Sequence, residues 1–170
     1  RGFGALSARL ELIPGKLNLI LDNNEQGKTT LVAALFNAFY GFSGERRSKN
    51  RPLVEEDIYT PWAGGAFEVE LDGTLMGRPF RLVRNFADGT AQLVDTTTNQ
   101  DRAEKYRTKH GYDFGGGLFG LYREQFRSTV FIQQSEVTSV TDTAGLKQRL
   151  EALADSGGGD RTASSAMLAL

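Results

Sequence analysis

Residues 19–31 read LILDNNEQGKTTL: an apolar run breaks into a polar loop and resumes through Lys28, Thr29 and Thr30 into a second apolar run. A phosphate-binding loop has a glycine, four residues, then Gly-Lys-Ser/Thr. Gly27, Lys28 and Thr29 supply the second half, and Asp22 stands where the first glycine belongs. The chemistry sits in that second half. Gly27 lets the main chain approach phosphate, Lys28 neutralises β/γ oxygens, and the Thr29 hydroxyl suits Mg²⁺. The place of Asp22 makes a mainly conformational demand, and aspartate tolerates left-handed backbone better than most side chains. Its cost is electrostatic, because a carboxylate near phosphate repels it unless it turns outward or faces the metal.

Outward from the loop, KLNLIL (16–21) places Leu17, Leu19 and Leu21 on one face and Ile20 on the other. That pattern predicts a buried strand of a central parallel sheet. ALSARLELIPG (5–15) alternates and turns at Pro14-Gly15, which predicts a hairpin with it. KTTLVAALFNAFYGF (28–42) is apolar nearly all round, predicting a helix packed on more than one side and ended by Gly41. The next twenty or so polar residues predict a loop with weak order from Glu45 to Asn50, in which Tyr59 and Trp62 anchor onto the sheet.

From Ala66 the period changes to two. AFEVELD, RPFRLVRNF and TAQLVD, joined through Gly73 to Gly77 and through Asp88-Gly89, predict an antiparallel meander of three strands. A charged, helical or irregular stretch follows, then a helix over LFGLYREQF (118–126) and a strand over STVFIQQ (128–134). The tail reads as two helical segments split by Gly157, Gly158 and Gly159.

Composition narrows the class. The 170 residues are 39% hydrophobic, carry a formal net charge of −1 and include no cysteine, so disulfides and cysteine-ligated metals are excluded. No apolar run approaches the roughly 20 residues of a membrane span, and 1–15 lack a signal-peptide core; a soluble, cytoplasmic protein without a membrane partner is expected. Any nucleic-acid contact has to come from local patches.

The wider string PGKLNLILDNNEQGKTTLVAALFNAFYGF resembles the start of the ATPase head in the SMC-related DNA-repair ATPases, the SbcC and YhaN group of the ABC-type class. Asn24, Glu25, Gly27, Lys28, Thr29, Thr30, Tyr40, Gly41 and Phe42 fall on that pattern, and Asp22 departs from it. Later, FRSTVFIQQSEV resembles the family's Q-loop, with Gln134 in the glutamine place, followed by Ser135, Glu136 and Val137, and Gln133 where relatives are often basic.

The resemblance implies an α/β P-loop NTPase fold. Residues 1–142 would form the N-terminal lobe of a head, with its antiparallel β layer, and 143–170 the lead into a coiled coil. It implies ATP and Mg²⁺ as cofactors, held by Asn23, Asn24, Glu25, Gln26, Gly27, Lys28, Thr29 and Thr30. Lys28 and Gln134 take catalytic roles, and Thr29 and Gln134 serve the metal. Implied partners are a C-terminal lobe of the same protein, a second head in a homodimer, DNA and an SbcD-like nuclease. Alone, these residues should bind nucleotide weakly and hardly hydrolyse it.

Hydrolysis needs an acidic metal ligand after a run of about four apolar residues, with a neighbouring base. The nearest imitation ends at Asp95, and Gln92 interrupts its run. A self-contained kinase or GTPase using Asp95, or a degenerate scaffold marked by Asp22, are the alternatives. Ser156-Gly157-Gly158 resembles a hinge more than a head signature. Arg46, Arg47, Lys49 and Arg51, and the strand arginines Arg78, Arg81 and Arg84, read as solvated surface with DNA contact as the competing reading; Arg78 and Arg84 share a face. His110 reads as a solvated group.

Overall fold

Leu17, Leu19 and Leu21 do not form a strand. Residues 8–23 run without a ladder, and Leu17 and Leu21 are 94% and 81% exposed. The turn at Pro14-Gly15 is present: Lys16 N–H donates to Ile13 O at 3.3 Å, and the Asn18 amide bonds both the N–H and the C=O of Ile13. The ends of a hairpin therefore meet while its arms stay unpaired. A ribbon with apolar residues on both faces and nothing packed on either is not stable in water. Every strand pairing among the described residues is antiparallel, so the expected parallel sheet is not seen there.

The computed structural model describes residues 2–23, 26–44, 47–50 and 52–131. Two units are distinguished, 1–118 and 119–170. In the first, β1 (Gly2–Phe3) and β2 (Leu6–Ser7) form a short ribbon turned at Gly4. The predicted helix follows as α1 (Lys28–Tyr40). It ends where Gly41 takes φ 72° and donates its N–H to Asn37 O at 2.8 Å. A short helix, α2 (Glu55–Tyr59), interrupts the expected loop; the Asp57 carboxylate caps it by accepting Val54 N–H at 3.0 Å. Arg47 donates to that same carboxylate, so the basic segment is tied down at this point.

The meander appears as expected, with a fourth strand: β3 (Glu68–Leu75), β4 (Arg78–Asn85), β5 (Ala91–Asp95) and β6 (Gln100–Asp101). Met76 and Gly77 both take positive φ between β3 and β4, the backbone of a two-residue hairpin turn. Asp88 accepts both the N–H and the hydroxyl of Thr90 at the next turn. Leu71, Leu82 and Leu93 stand opposite one another across three strands. The stretch expected to be helical or irregular holds a 3-10 turn (Ala103–Tyr106) and a small hairpin, β7 (Arg107–Thr108) with β8 (Gly111–Tyr112).

The core lies between α1 and the meander in two clusters. Phe3, Ala33, Ala34, Phe67 and Phe86 form one, joined by Phe42 and Tyr59. Ala38, Leu82, Leu93, Ala103 and Phe114 form the other. Small residues on α1 let the helix approach the sheet, and aromatic rings fill the remaining volume.

The helix expected over 118–126 is two. The first, α3 (Phe114–Phe119), ends before Gly120, whose φ is 66°; the second, α4 (Arg123–Thr129), starts after an extended Tyr122 whose N–H is accepted by the Gln125 side chain. Within the second unit the Phe119 and Phe126 rings stack at 5.3 Å. Ser128 and Thr129, expected in a strand, finish α4 and donate their hydroxyls to Gln125 O. Val130 and Phe131, also expected in that strand, close the helix instead, each donating its N–H to Phe126 O. Its last residues, 132–134, the Q-loop residues through Val137 and the expected helical lead at 143–170 lie outside the described residues.

Candidate functional site

Gly27 is the N-cap of α1 and takes φ 89°, ψ 14°. That left-handed backbone favours glycine there; space does not, since an added Cβ would rest 3.5 Å from Leu6 Cδ1. Leu31 N–H donates to Gly27 O at 2.8 Å, the first bond of the helix. No side chain caps the helix start and no acid lies in its first turn. Its unpaired N–H groups and the positive end of its dipole therefore remain available to an anion.

Lys28 folds back across the loop. Its Nζ donates to Asp22 O at 2.8 Å and to Asn23 O at 2.5 Å, closing a ring from the helix start to the end of the apolar run. The ammonium is thus held by neutral carbonyls. The Asp22 carboxylate turns onto its own backbone, where Oδ1 accepts Asn23 N–H at 2.8 Å, and no ion pair joins it to Lys28. Among the described residues Met76 and Asn99 are the non-glycine residues with positive φ, so Asp22 does not adopt the left-handed backbone expected of it. That conformation falls on Gly27.

Thr29 is exposed, and its hydroxyl has no hydrogen-bond partner among the described residues. Thr30 turns inward, with its methyl 3.2 Å from where a Cβ on Gly4 would lie. Gln26 is exposed beside Gly27. The structure therefore brings Asn23, Gln26, Gly27, Lys28, Thr29 and Thr30 together, while Asn24, Glu25 and Gln134 lie outside the described residues. The N-terminal ribbon supports this loop: Leu6 packs toward Gly27, and Gly4 N–H donates to Tyr59 O at 2.6 Å, linking the ribbon to α2. This support was missed in the sequence, where the spacing of Gly2 and Gly4 around the buried Phe3 is its only trace.

A family model for the AAA domain (AAA_23) matches residues 1–156. The chain belongs to the AAA domain family. It is an ATP-binding domain of the P-loop ATPase type. No curated protein and no solved structure matches it. The AAA domain's own residues fit the nucleotide this class binds: among the described residues, an uncapped helix start, an ammonium held without a counter-charge and a threonine hydroxyl without a partner lie at one place. Gly27, Lys28, Thr29 and Thr30 would hold the phosphates, and Thr29 the Mg²⁺. Bound there, MgATP would supply the γ-phosphoryl bond that this class breaks. Among the described residues no group of three or more His, Asp or Glu gathers as a metal site.

The other candidates separate clearly. Asp95 is spent on its own turn: it accepts Thr97 and Thr98 N–H at 3.0 and 3.2 Å and pairs with Arg102 at 3.0 Å. The Thr98 amide foremost, then Thr97 and the Arg102 charge, hold its carboxyl below the usual range. Arg84 is not solvated surface. It is 8% exposed, donating to Ala38 O at 3.3 Å and Tyr112 O at 2.9 Å, with the Phe86 and Phe114 rings each 5.8 Å away. It forms one wall of an open cleft of about 210 Å³, with Gly41, Phe42, Glu55 and His110, at the far end of α1 from Lys28. Arg81 stands outside, paired with Asp72 at 2.7 Å, which holds that carboxyl low. Tyr59 anchors onto Phe3 at 5.1 Å as expected, whereas Trp62 is 94% exposed and stacks on no ring among the described residues. Among the described residues no helix is long and apolar enough to cross a membrane.

Proposed function

We propose that this AAA domain is the ATP-binding half of an SMC-like DNA-repair ATPase head. ATP and Mg²⁺ at the Gly27–Thr30 loop favour association of two heads, and hydrolysis releases them. The output is control of DNA access for an associated SbcD-like nuclease. A C-terminal lobe of the same protein completes each head, and Gln134 joins the γ-phosphate and metal from the Q-loop place. The Lys28 ring to Asp22 O and Asn23 O carries the nucleotide-binding part of this reading, since it leaves a fixed positive charge at the open start of a buried helix; the DNA-repair part rests on the sequence resemblance around Asn24 to Thr30 and Gln134.

Two further observations support it. The exposed apolar run from Leu10 to Leu21 is suited to strands from another lobe. The occupied carboxylate of Asp95 disfavours a self-contained kinase or GTPase. The test is dimerisation of the joined N- and C-terminal lobes, followed by sedimentation with and without MgATP. Dimers should form with MgATP and be lost in Lys28→Ala. Rapid ATP turnover by the 170-residue chain alone would instead favour a self-contained enzyme. Absence of nucleotide binding in the joined lobes would favour a scaffold.

A further inference from the structure

We infer that the Asp22 carboxylate makes this loop select nucleotide already complexed with a divalent cation over free nucleotide. The inference rests on the phosphate-binding reading above and deepens it. Asp22 has no left-handed backbone to sustain, so what distinguishes it from glycine here is its charge. That charge is held in place, because Oδ1 accepts Asn23 N–H at 2.8 Å. It is also close to where phosphate has to sit. Lys28 Nζ lies 2.8 Å from the Asp22 carbonyl oxygen. Since carbonyl and carboxylate belong to one residue, covalent geometry keeps the carboxylate within about 8 Å of the ammonium.

No ion pair with Lys28 cancels the carboxylate, so its field reaches any phosphate that the ammonium binds. That upper bound does not exceed the Debye length of about 8 Å at physiological ionic strength, so salt screens the interaction only partly. Repulsion scales with the charge brought in. A divalent cation carried by the nucleotide would remove about two of ATP's roughly four negative charges and therefore about half of the penalty. Asp22 thus lowers affinity for both forms and lowers it more for free ATP.

The test is equilibrium binding of ATP to the 170-residue chain, in excess Mg²⁺ and in EDTA, for wild type, Asp22→Asn, Asp22→Gly and Lys28→Ala, with circular dichroism as the folding check. Asp22→Asn should tighten binding about tenfold in EDTA and about threefold in Mg²⁺, the square-root relation expected when the penalty halves. The preference for Mg²⁺ over EDTA should fall by about threefold, and Asp22→Gly should match it because both remove the same charge. Raising the salt to about 0.5 M should shrink the difference between wild type and variant. An unchanged preference for Mg²⁺, with binding still lost in Lys28→Ala, overturns the role of Asp22 and leaves the phosphate-binding reading standing. Binding that Lys28→Ala leaves intact, or no binding by any form at millimolar ATP, overturns both.

Discussion

Arg84 caps the carboxyl end of the helix whose amino end faces the phosphate site. Its guanidinium takes Ala38 O from α1 and Tyr112 O from β8, between two aromatic rings and against Gly41, where a Cβ would come within 2.5 Å of Nη2. A cation there also suits the negative end of the helix dipole. Arg84→Met keeps much of the packing but strips both carbonyls of this donor; a buried orphan costs about 1–3 kcal/mol, and the half-buried Tyr112 O costs less than the buried Ala38 O. The unfolding midpoint in urea should drop accordingly. Arg84→Lys should fall between, since one ammonium cannot reproduce a planar fork between two acceptors. Alternation puts Arg84 on one face with Arg78, a face that reads as solvated in the sequence. What the sequence did not reveal was the pair of carbonyls waiting for it, one of which comes from a helix 46 positions away.

Among the elements, α3 shows how far apparent flexibility can mislead. Gly115, Gly116 and Gly117 look like a hinge, yet a Cβ on each would strike a different neighbour: the Tyr40 ring, the Asp113 carboxylate and the Tyr106 ring. Close packing requires them. Gly115→Ala gains about 1 kcal/mol of helix propensity but drives a methyl into a rigid ring, an overpacking cost of about 1–3 kcal/mol. Thermal unfolding should therefore show net destabilisation, and in a Tyr40→Leu background the same change should become neutral or stabilising. The meander and α1 were legible because their periodicities agree with what they pack against. The strand at 16–21 was not, because its apolar pattern describes a covered state, and the described residues contain nothing that covers it.

For the whole molecule, two well-filled clusters sit beside an unpaired segment that carries some of its most exposed leucines. Stability should divide along that line. Amides of residues 8–23 should exchange with deuterium at nearly unstructured rates in this chain, while those of β3 to β5 exchange slowly. Joining the proposed C-terminal lobe should protect 16–21 selectively, and unchanged exchange there would remove the support this segment gives to a two-lobed head. The start of α1 at Lys28 was legible in the sequence; the use of the Asp22 carbonyl, rather than its side chain, to seat the lysine was not.

The uncovered run has a cost of its own. KLNLIL is a six-residue segment of high strand propensity with one charge and no proline, the kind that stacks in register with copies of itself. Leu17, Leu19 and Leu21 are the side chains that would interdigitate in such a fibril. The same residues that await a second lobe would then compete for it with self-assembly, and concentration would decide the outcome. The timing of lobe joining during synthesis would act as a guard against amyloid.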